Sequence, residues 1–491
     1  MTTSLTWALG MLAAGQFHVR QAAFLAVELW KWLVNSSASW VFTLVQLLAF
    51  TLVLAPGWAR MLYYYLFDKG IVRNVAYGLG GRYRNLLDVY MPSGGQTTSL
   101  APTVVFVSGG AYIIGYKLWS ALVARGLSRL GCLVIVPDYR NFPQADMEEM
   151  QEDIRAAVDW TVRNARLYGG NGDKIVLAGQ SAGAHICLSA LVEAHEERLI
   201  VDQQAVGWAR NAMTWNSALN ASGSSTLHPG QGQASSANVT PRNSAPGTPA
   251  TPSVTWRDVS EGVDGSDFST SASGSPSPWA HTLGSLRSLM TATPAPTPKK
   301  TKTIRFSTPI KGQPVQGTPL DLDKIALVVL VSGPYDLFSM KTHLHTRGLD
   351  SSILTWICRG NLAKYSPTRR IARHVASSGD RFCYLHFPRT ALFHGSDDAT
   401  VPLSICEDLA EALLSGGGRV EVNVYPGLSH TDPILEGPLR GDETLMLDIV
   451  ARVRDAVGAD LAGRRSGEGK GGGSAWVHPV LVAIAKRLNP F

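Results

Sequence analysis

The chain has 491 residues, of which 45% are hydrophobic and 17% are charged, so it is long enough to bury a substantial core. This composition excludes a wholly disordered or collagen-like chain. The net charge of +6 is spread over the whole length without an aromatic-interleaved basic stripe, so we expect no nucleic-acid partner. The five cysteines are an odd number without C-x-x-C spacing, which favours free thiols in a reducing compartment over a disulfide framework or a zinc site.

Residues 1–69 predict an N-terminal membrane anchor. The stretch 38–58 (ASWVFTLVQLLAFTLVLAPGW) carries no charge and has about the length of a spanning helix, which predicts a transmembrane segment there. An upstream apolar stretch, 22–34, can lie in the interface or form a hairpin partner, so the number of spans stays open. The basic residues that follow, Arg60 and Lys69 among them, orient the C-terminal side towards the cytosol. The alternative is a buried helix of a soluble domain.

Two segments interrupt or follow the expected domain. Residues 216–319 are crowded with Ser, Thr, Pro and Gly, and such a segment cannot bury enough apolar surface to offset its ordering entropy. We therefore expect a disordered insertion. Residues 461–491 form a Gly-rich linker and an apolar tail, which either touches a membrane or packs on the domain.

The remaining residues, 70–215 and 320–460, read as alternating strands and helices. The apolar runs VVFV, LVIVP, KIVLAG, IALVVLV and TALFHG end in Gly, Asp or Ser, with helical patterns between most of them. Runs that are apolar on both faces predict a mostly parallel sheet covered by helices on both sides. In such α/β sheets, ligands bind beyond the carboxyl ends of the strands.

The segment KIVLAGQSAGAH places Ser181 between a predicted strand and a predicted helix. A serine within G-x-S-x-G on a sharp strand-to-helix turn is exposed above the sheet and is placed to act as a nucleophile. The backbone N–H of Ala182, at the start of the helix, can then point at a developing oxyanion. The alternative is a glycine-rich turn with an idle serine.

Three further elements support the nucleophile. The loop after PTVVFV contains Gly110 and Ala111, whose N–H groups can complete an oxyanion hole. His430 lies in a loop after the strand VEVNVYP and is placed as a general base. Asp397 and Asp398 follow another strand, and one of them can orient the imidazole. The chain order of serine, acid and histidine is the one typical of α/β-hydrolases.

Longer segments resemble a known family. PDYRNFPQ, YGGNGDKIVLAGQSAGAH, SGPYDLFSMKTHLHTRGL, HGSDDATVP and SHTDPILEGPLRGDE are similar to segments of the isoprenylcysteine α-carbonyl methylesterases, membrane-anchored α/β-hydrolases that demethylate prenylated cysteine methyl esters. The resemblance implies an α/β-hydrolase fold, no metal and no cofactor. It implies that Ser181 is the nucleophile, Asp398 the acid and His430 the base. The implied oxyanion hole consists of Gly110, Ala111 and Ala182.

The resemblance also implies partners and a location. The substrates would be prenylcysteine methyl esters or carboxyl-methylated prenylated proteins, met at the lipid bilayer. The enzyme would be an integral membrane protein of the endoplasmic reticulum or Golgi, with its catalytic domain facing the cytosol. The long insertion and the Gly-rich extension depart from the family pattern.

A prenyl chain needs an apolar groove, and the residues just beyond the oxyanion loop are candidates to line it, unless they only pack within the fold. They are Tyr112, Ile113, Ile114, Tyr116 and Trp119. Two other functions remain open at this point. One is a carboxylesterase or lipase of broader range, and the other is a catalytically idle membrane scaffold.

Overall fold

The computed structural model describes residues 27, 39–78, 85–93, 99–222, 320–346, 351–380, 382–458 and 475–488. The strands are, in chain order, β1 Ile71–Ala76, β2 Leu86–Tyr90, β3 Ala101–Val107, β4 Leu133–Pro137, β5 Gly170–Gln180, β6 Ile325–Val331, β7 Thr390–Gly395 and β8 Val420–Tyr425. The helices are α1 Ser39–Val53, α2 Ala55–Phe67, α3 Ala121–Arg129, α4 Met147–Asn164, α5 Ala182–Ser222, α6 Leu337–Thr346, α7 Ser352–Ile357, α8 Pro367–Ser378, α9 Leu403–Ser415, α10 Glu436–Arg440, α11 Thr444–Val457 and α12 Pro479–Leu488.

The eight strands form one sheet in the order β1-β2-β4-β3-β5-β6-β7-β8. The pairs β1–β2 and β2–β4 are antiparallel and all the others are parallel. Successive side chains of a strand point to opposite faces, so Val105 and Val107 of β3 enter one core cluster while Val104 and Phe106 enter the other. This confirms the predicted α/β fold with its mostly parallel sheet covered on both faces.

The N-terminal region differs from the predicted single transmembrane helix over residues 38–58. The chain forms two helices there, because α1 ends at Val53 after 15 residues and α2 begins at Ala55. Pro56 lies in the first turn of α2, where its missing N–H leaves no helical hydrogen bond unmade. At 1.5 Å per residue α1 is about 22 Å long, which is short of the roughly 30 Å hydrocarbon core. Within the described ranges, no helix combines the length and apolar character needed to cross a bilayer.

The aromatic residues at the end of this stretch and just after it belong to the second of these helices. Trp58, Tyr63, Tyr64 and Tyr65 lie within α2 itself, where Tyr65 is buried and Tyr63 is exposed. The helical period therefore divides the aromatic side chains between the core and the surface. The upstream stretch 22–34 lies outside the described residues, apart from Val27.

The helix after Ser181 is longer than its sequence pattern suggested. The apolar pattern after Ser181 predicts a helix from about residue 182 to residue 191, but α5 continues to Ser222 without a proline to end it. The helix therefore extends past the predicted domain limit at residue 215. The rest of the predicted insertion, from residue 223 to residue 319, lies outside the described residues.

The apolar C-terminal tail packs on the domain. The N–H groups of Trp476 and Val477 donate to the carbonyl of Leu439 at 2.8 and 3.0 Å. In α12, Val482 and Ala485 are buried in the core cluster that lines the same face of the sheet as α3 and α11. The tail therefore packs on the domain through one face of α12, while Val480, Leu481 and Ile484 of the same helix are exposed.

Candidate active site

Ser181 occupies a strained turn between β5 and α5. Its φ angle is 52°, in the left-handed region that non-glycine residues seldom adopt. The Ser181 N–H donates to the carbonyl of Val331 at 2.8 Å, which ties the turn to β6. A Cβ on Gly183 would lie 2.3 Å from the carbonyl oxygen of Val107, so only glycine lets α5 pass this close to β3. This geometry is the one expected of a nucleophile turn.

The loops after β7 and β8 bring an acid and a histidine to Ser181. His430 Nε2 lies 2.9 Å from Ser181 Oγ, and His430 Nδ1 lies 2.8 Å from Asp398 Oδ2. A carboxylate only accepts hydrogen bonds, so Nδ1 carries the proton and Nε2 is left to accept from the serine hydroxyl. Asp398 and His430 are both buried. The three side chains therefore form a continuous relay from carboxylate to hydroxyl.

Asp398 is held as a carboxylate by its surroundings. Its Oδ1 accepts the N–H groups of Thr400 and Val401, each at 2.9 Å. Burial acts to raise the pKa of Asp398, but the charge and hydrogen bond of His430, together with the Val401 N–H, hold that pKa below its usual value. Asp398 is therefore ionised at neutral pH and fixes the tautomer of His430.

The neighbouring carboxylate, Asp397, points away from the histidine. Its side chain is exposed and accepts a hydrogen bond from the Ser396 hydroxyl at 2.8 Å, while its N–H donates to Leu428 at 3.1 Å. Consecutive residues of the turn thus face different sides. The sequence left two candidate acids, and the structure brings Asp398 to His430.

The predicted oxyanion loop lies against the nucleophile turn. A Cβ on Gly109 would lie 2.9 Å from Ser181 Cβ, and the next residues, Gly110 and Ala111, have φ angles of 137° and 50°. The N–H groups of Gly110 and Ala111 donate to no other residue in the part of the chain that the structure describes. Ala182 is the first residue of α5, so its N–H has no partner within the helix. These donors remain the predicted oxyanion hole.

The predicted groove residues divide into two groups. Tyr112 is buried in the main core, with its ring centroid 5.6 Å from that of His185. The other four form a separate apolar cluster, which we call the loop cluster: Ile113, Ile114, Tyr116 and Trp119. Trp119 lies edge-on to Trp58 of α2 at 6.4 Å between ring centroids. The loop cluster therefore joins the oxyanion loop to the N-terminal helices, while Tyr112 supports the loop from below.

Sequence reasoning missed two side chains at this site. Gln180 Nε2 lies 3.4 Å from His430 Nε2, and His394 Nε2 lies 3.4 Å from Asp398 Oδ2. Burial lowers the pKa of His394, which keeps it neutral beside the carboxylate. Gln180 directly precedes Ser181, and His394 begins the segment HGSDD that contains Asp398. Their position beside catalytic candidates could therefore have indicated them.

Known proteins that resemble this chain are named as esterases. The profile of the BD-FAE family matches residues 87–245. A probable isoprenylcysteine alpha-carbonyl methylesterase of Oryza sativa subsp. japonica is 29% identical over 92% of this chain and 75% of its own length. The isoprenylcysteine alpha-carbonyl methylesterase of Arabidopsis thaliana is 26% identical over 92% of this chain and 77% of its own.

Other matches cover less of the chain or are more distant. Esterase LipQ of Mycobacterium tuberculosis is 33% identical over 26% of this chain and 30% of its own length. Among solved structures, an inhibited esterase B from Lactobacillus rhamnosis matches 84% of this chain and 97% of its own with a TM-score of 0.47 and 13% identity.

The sheet, the strained serine turn and the curated relatives together define a carboxylic-ester hydrolase of the α/β-hydrolase superfamily. Its similarity to relatives of one kind extends over nearly the whole chain rather than over the nucleophile region alone. Within the superfamily, the relatives that match nearly the whole chain are isoprenylcysteine α-carbonyl methylesterases, at 26–29% identity.

Proposed function

We propose that this enzyme hydrolyses the methyl ester of prenylated cysteine, either as the free prenylcysteine ester or at the end of a carboxyl-methylated prenylated protein. The observation that carries the hydrolytic step is the Ser181–His430–Asp398 relay, with contacts of 2.9 and 2.8 Å. The choice of ester is supported by similarity over 92% of this chain to proteins named as isoprenylcysteine alpha-carbonyl methylesterases.

In the first half-reaction, Ser181 Oγ attacks the ester carbonyl while His430 Nε2 takes the hydroxyl proton. The carbonyl oxygen becomes an oxyanion, which the N–H groups of Gly110, Ala111 and Ala182 stabilise. Collapse of this intermediate breaks the bond to the methoxy oxygen. That oxygen takes the proton from His430 and leaves as methanol, and the prenylcysteine acyl group stays on Ser181.

In the second half-reaction, His430 removes a proton from water as the water oxygen attacks the acyl carbonyl. The new oxyanion collapses and breaks the bond to Ser181 Oγ, which recovers its proton from His430. The products are the prenylcysteine acid, ionised at neutral pH, and the regenerated enzyme. Asp398 keeps Nδ1 protonated throughout, so Nε2 alternates between base and acid in both halves.

We assign the prenyl chain to the partly exposed side of the loop cluster, where Ile113 and Trp119 pack over the buried Ile114 and Tyr116. It lies directly after the oxyanion loop, so an apolar chain resting on it would leave the ester near Ser181. Its contact with Trp58 connects it to α2. We infer that the prenyl chain reaches the site along the side of the molecule formed by α2 and the loop cluster.

Membrane attachment is proposed at the surface of the bilayer rather than through a spanning helix. Three helices expose apolar side chains, and α12 packs directly against α1. These side chains are, for α1, α2 and α12 in turn, Val45, Leu48 and Leu52; Leu62, Tyr63, Leu66 and Phe67; and Val480, Leu481 and Ile484. A group of exposed apolar residues on neighbouring helices is typical of an interfacial anchor. A lipidated substrate in the same bilayer would then be met at high effective concentration.

We propose the cytosolic face of the endoplasmic reticulum or Golgi as the location of this surface. All five cysteines are free and buried, which suits a reducing compartment. Basic residues near the end of α2, such as Lys69 and Arg73, suit the negative cytosolic leaflet.

Replacing Leu62 and Phe67 by serine is expected to weaken binding to phospholipid vesicles by about tenfold or more, because two apolar side chains no longer enter the interface. Co-sedimentation with vesicles measures the effect. Leu167 and Leu414 are 54% and 59% exposed on other elements, so the double serine variant at those positions is the matched control. Equal vesicle binding by both double variants would contradict attachment through α2.

Chain selectivity tests the proposed substrate. With purified enzyme, kcat/KM for farnesylcysteine methyl ester is expected to exceed that for S-methylcysteine methyl ester by at least about a hundredfold, since burial of each methylene contributes about 0.8 kcal/mol. Both esters share the same reacting group, so the comparison isolates the prenyl chain. Equal values, with faster hydrolysis of p-nitrophenyl acetate, would identify a carboxylesterase of broader range instead.

A further inference from the structure

The loop that carries His430 is organised by a buried carboxylate two residues further on. Asp432 is completely buried, and its Oδ2 accepts hydrogen bonds from both the N–H and the hydroxyl of Ser429, at 3.0 and 3.2 Å. His430 is enclosed between these two residues. The position of its ring therefore depends on the position of Asp432.

Two cations reach Asp432 from different parts of the chain. Arg440 Nη1 of α10 lies 3.2 Å from Oδ1, and Lys486 Nζ of α12 lies 2.6 Å from Oδ2. Lys486 also donates to the carbonyl of Gly427 at 2.7 Å. Burial acts to raise the pKa of Asp432, but the hydrogen bond from Lys486, the Ser429 N–H and Arg440 hold it below its usual value.

We propose that Lys486 is a positioning residue for His430 and that α12 serves as a clamp on the histidine loop. The Lys486 ammonium holds two points of this loop, the carbonyl of Gly427 before His430 and the carboxylate of Asp432 after it. Lys486 and the two donors of Ser429 bind the same atom, Asp432 Oδ2. Lys486 therefore fixes the acceptor that holds Ser429, the residue before His430. Arg440 contacts the other oxygen and cannot replace this connection.

The clamp reaches the site from a segment that lies beyond the last helix of the sheet domain. Residues 459–474 separate α11 from the described tail, and the tail is fixed at its start by the hydrogen bonds of Trp476 and Val477 to Leu439. Val482 and Ala485 anchor the same helix in the core. These contacts hold α12 in place, so the Lys486 ammonium has a fixed position relative to the histidine loop. The C-terminal extension thereby acquires a role in catalysis.

Removing the ammonium is expected to lower turnover with little change in substrate binding. Without Lys486, the Gly427 carbonyl loses a donor, and Arg440 is the one cation among the described residues that still contacts Asp432, so the loop can shift His430 relative to Ser181. A displacement of about 1 Å in a catalytic group can cost up to about a hundredfold in rate. For a loop still held by Arg440 and Ser429 we expect a loss of about tenfold in kcat.

The test compares Lys486→Met, Lys486→Arg and Arg487→Met in the full-length chain, using a soluble short-chain ester. Arg487 is exposed on the same helix, so its substitution removes an equal charge and serves as the matched control. The readouts are kcat and KM, thermal stability, and the downfield proton resonance of the His430 Nδ1–H. We expect Lys486→Met to lose about tenfold in kcat with KM within about twofold, and to broaden the resonance. Lys486→Arg should recover at least about a third of the wild-type kcat, and Arg487→Met should match the wild type.

The inference fails if Lys486→Met turns over within twofold of Arg487→Met, or if its resonance is unchanged. It also fails if arginine gives no recovery, because the loss would then not depend on the cation. The inference rests on His430 acting as the base, so His430→Gln is assayed in parallel. Undiminished activity of His430→Gln would overturn the proposed function itself. If His430→Gln is inactive while Lys486→Met stays fully active, only the clamp is overturned.

Discussion

Replacement of Ser181 by alanine is expected to lower ester hydrolysis by at least about a thousandfold while leaving the fold intact. The Oγ atom removed is the one that lies 2.9 Å from His430 Nε2, and no other hydroxyl among the described residues contacts that nitrogen. The strained turn is preserved, because it is fixed by the Ser181 N–H bond to Val331 and not by the side chain. Turnover of a soluble ester and labelling by a fluorophosphonate probe measure the effect.

Ser189→Ala provides the control for this substitution. Ser189 is a buried serine two turns further along α5, and its hydroxyl contacts His185 rather than His430. We expect this variant to keep wild-type turnover within about threefold and to accept the probe. Retention of more than about a thousandth of the activity by Ser181→Ala would count against direct nucleophilic attack by Ser181.

Replacement of Asp398 by asparagine is expected to cost at least about a hundredfold in turnover. An asparagine amide can donate to Nδ1, which would move the imidazole proton to Nε2 and leave no base facing Ser181; the serine protease template loses about ten-thousand-fold on this change. In this chain the acid is also bound by the Thr400 and Val401 N–H groups, which continue to hold the side chain in place. Steady-state kcat at neutral pH is the measurement.

Asp397→Asn is the matched control, because it makes the same chemical change one residue away. Its exposed side chain meets Ser396 and not the imidazole, so we expect a loss of less than about tenfold. If the two losses are reversed, the acid has been assigned to the wrong carboxylate, although the hydrolase fold is unaffected.

The sheet and the site candidates could be predicted because short-range sequence patterns specify them. Apolar runs such as VVFV and IVLAG are buried on both faces, and each ends at the carboxyl edge of the parallel sheet. Ser181, Asp398 and His430 all follow such strands, so their positions in the sequence were enough to predict that they meet at one edge of the sheet. The choice between Asp397 and Asp398 needed the family resemblance, since the sequence alone does not determine which side of a turn each residue faces.

The N-terminal helices could not be predicted from hydropathy. An uncharged run of apolar residues indicates burial but does not say whether lipid or protein provides it. Here Phe50 and Leu54 are buried against the protein, while Leu48 and Leu52 are exposed. The partner that completes the core is α12, which comes from the other end of the chain, and no local pattern records that contact.

The Lys486–Asp432 pair was unpredictable for the same reason. The two residues are 54 positions apart, and a single lysine in an apolar tail carries no periodic signal. Gln180 and His394 were missed because short motifs identify the central residue of a turn better than its neighbours. Long-range polar contacts between single side chains are therefore where the sequence is least informative.

Methanol release from farnesylcysteine methyl ester, measured for the purified wild-type protein and for Ser181→Ala, tests the central claim most directly. We predict steady release by the wild type, with one equivalent of free prenylcysteine acid for each methanol, and release no faster than the uncatalysed background by Ser181→Ala. No release by a wild-type protein that hydrolyses short acyl esters would contradict the proposed substrate, and equal release by both proteins would contradict the proposed nucleophile.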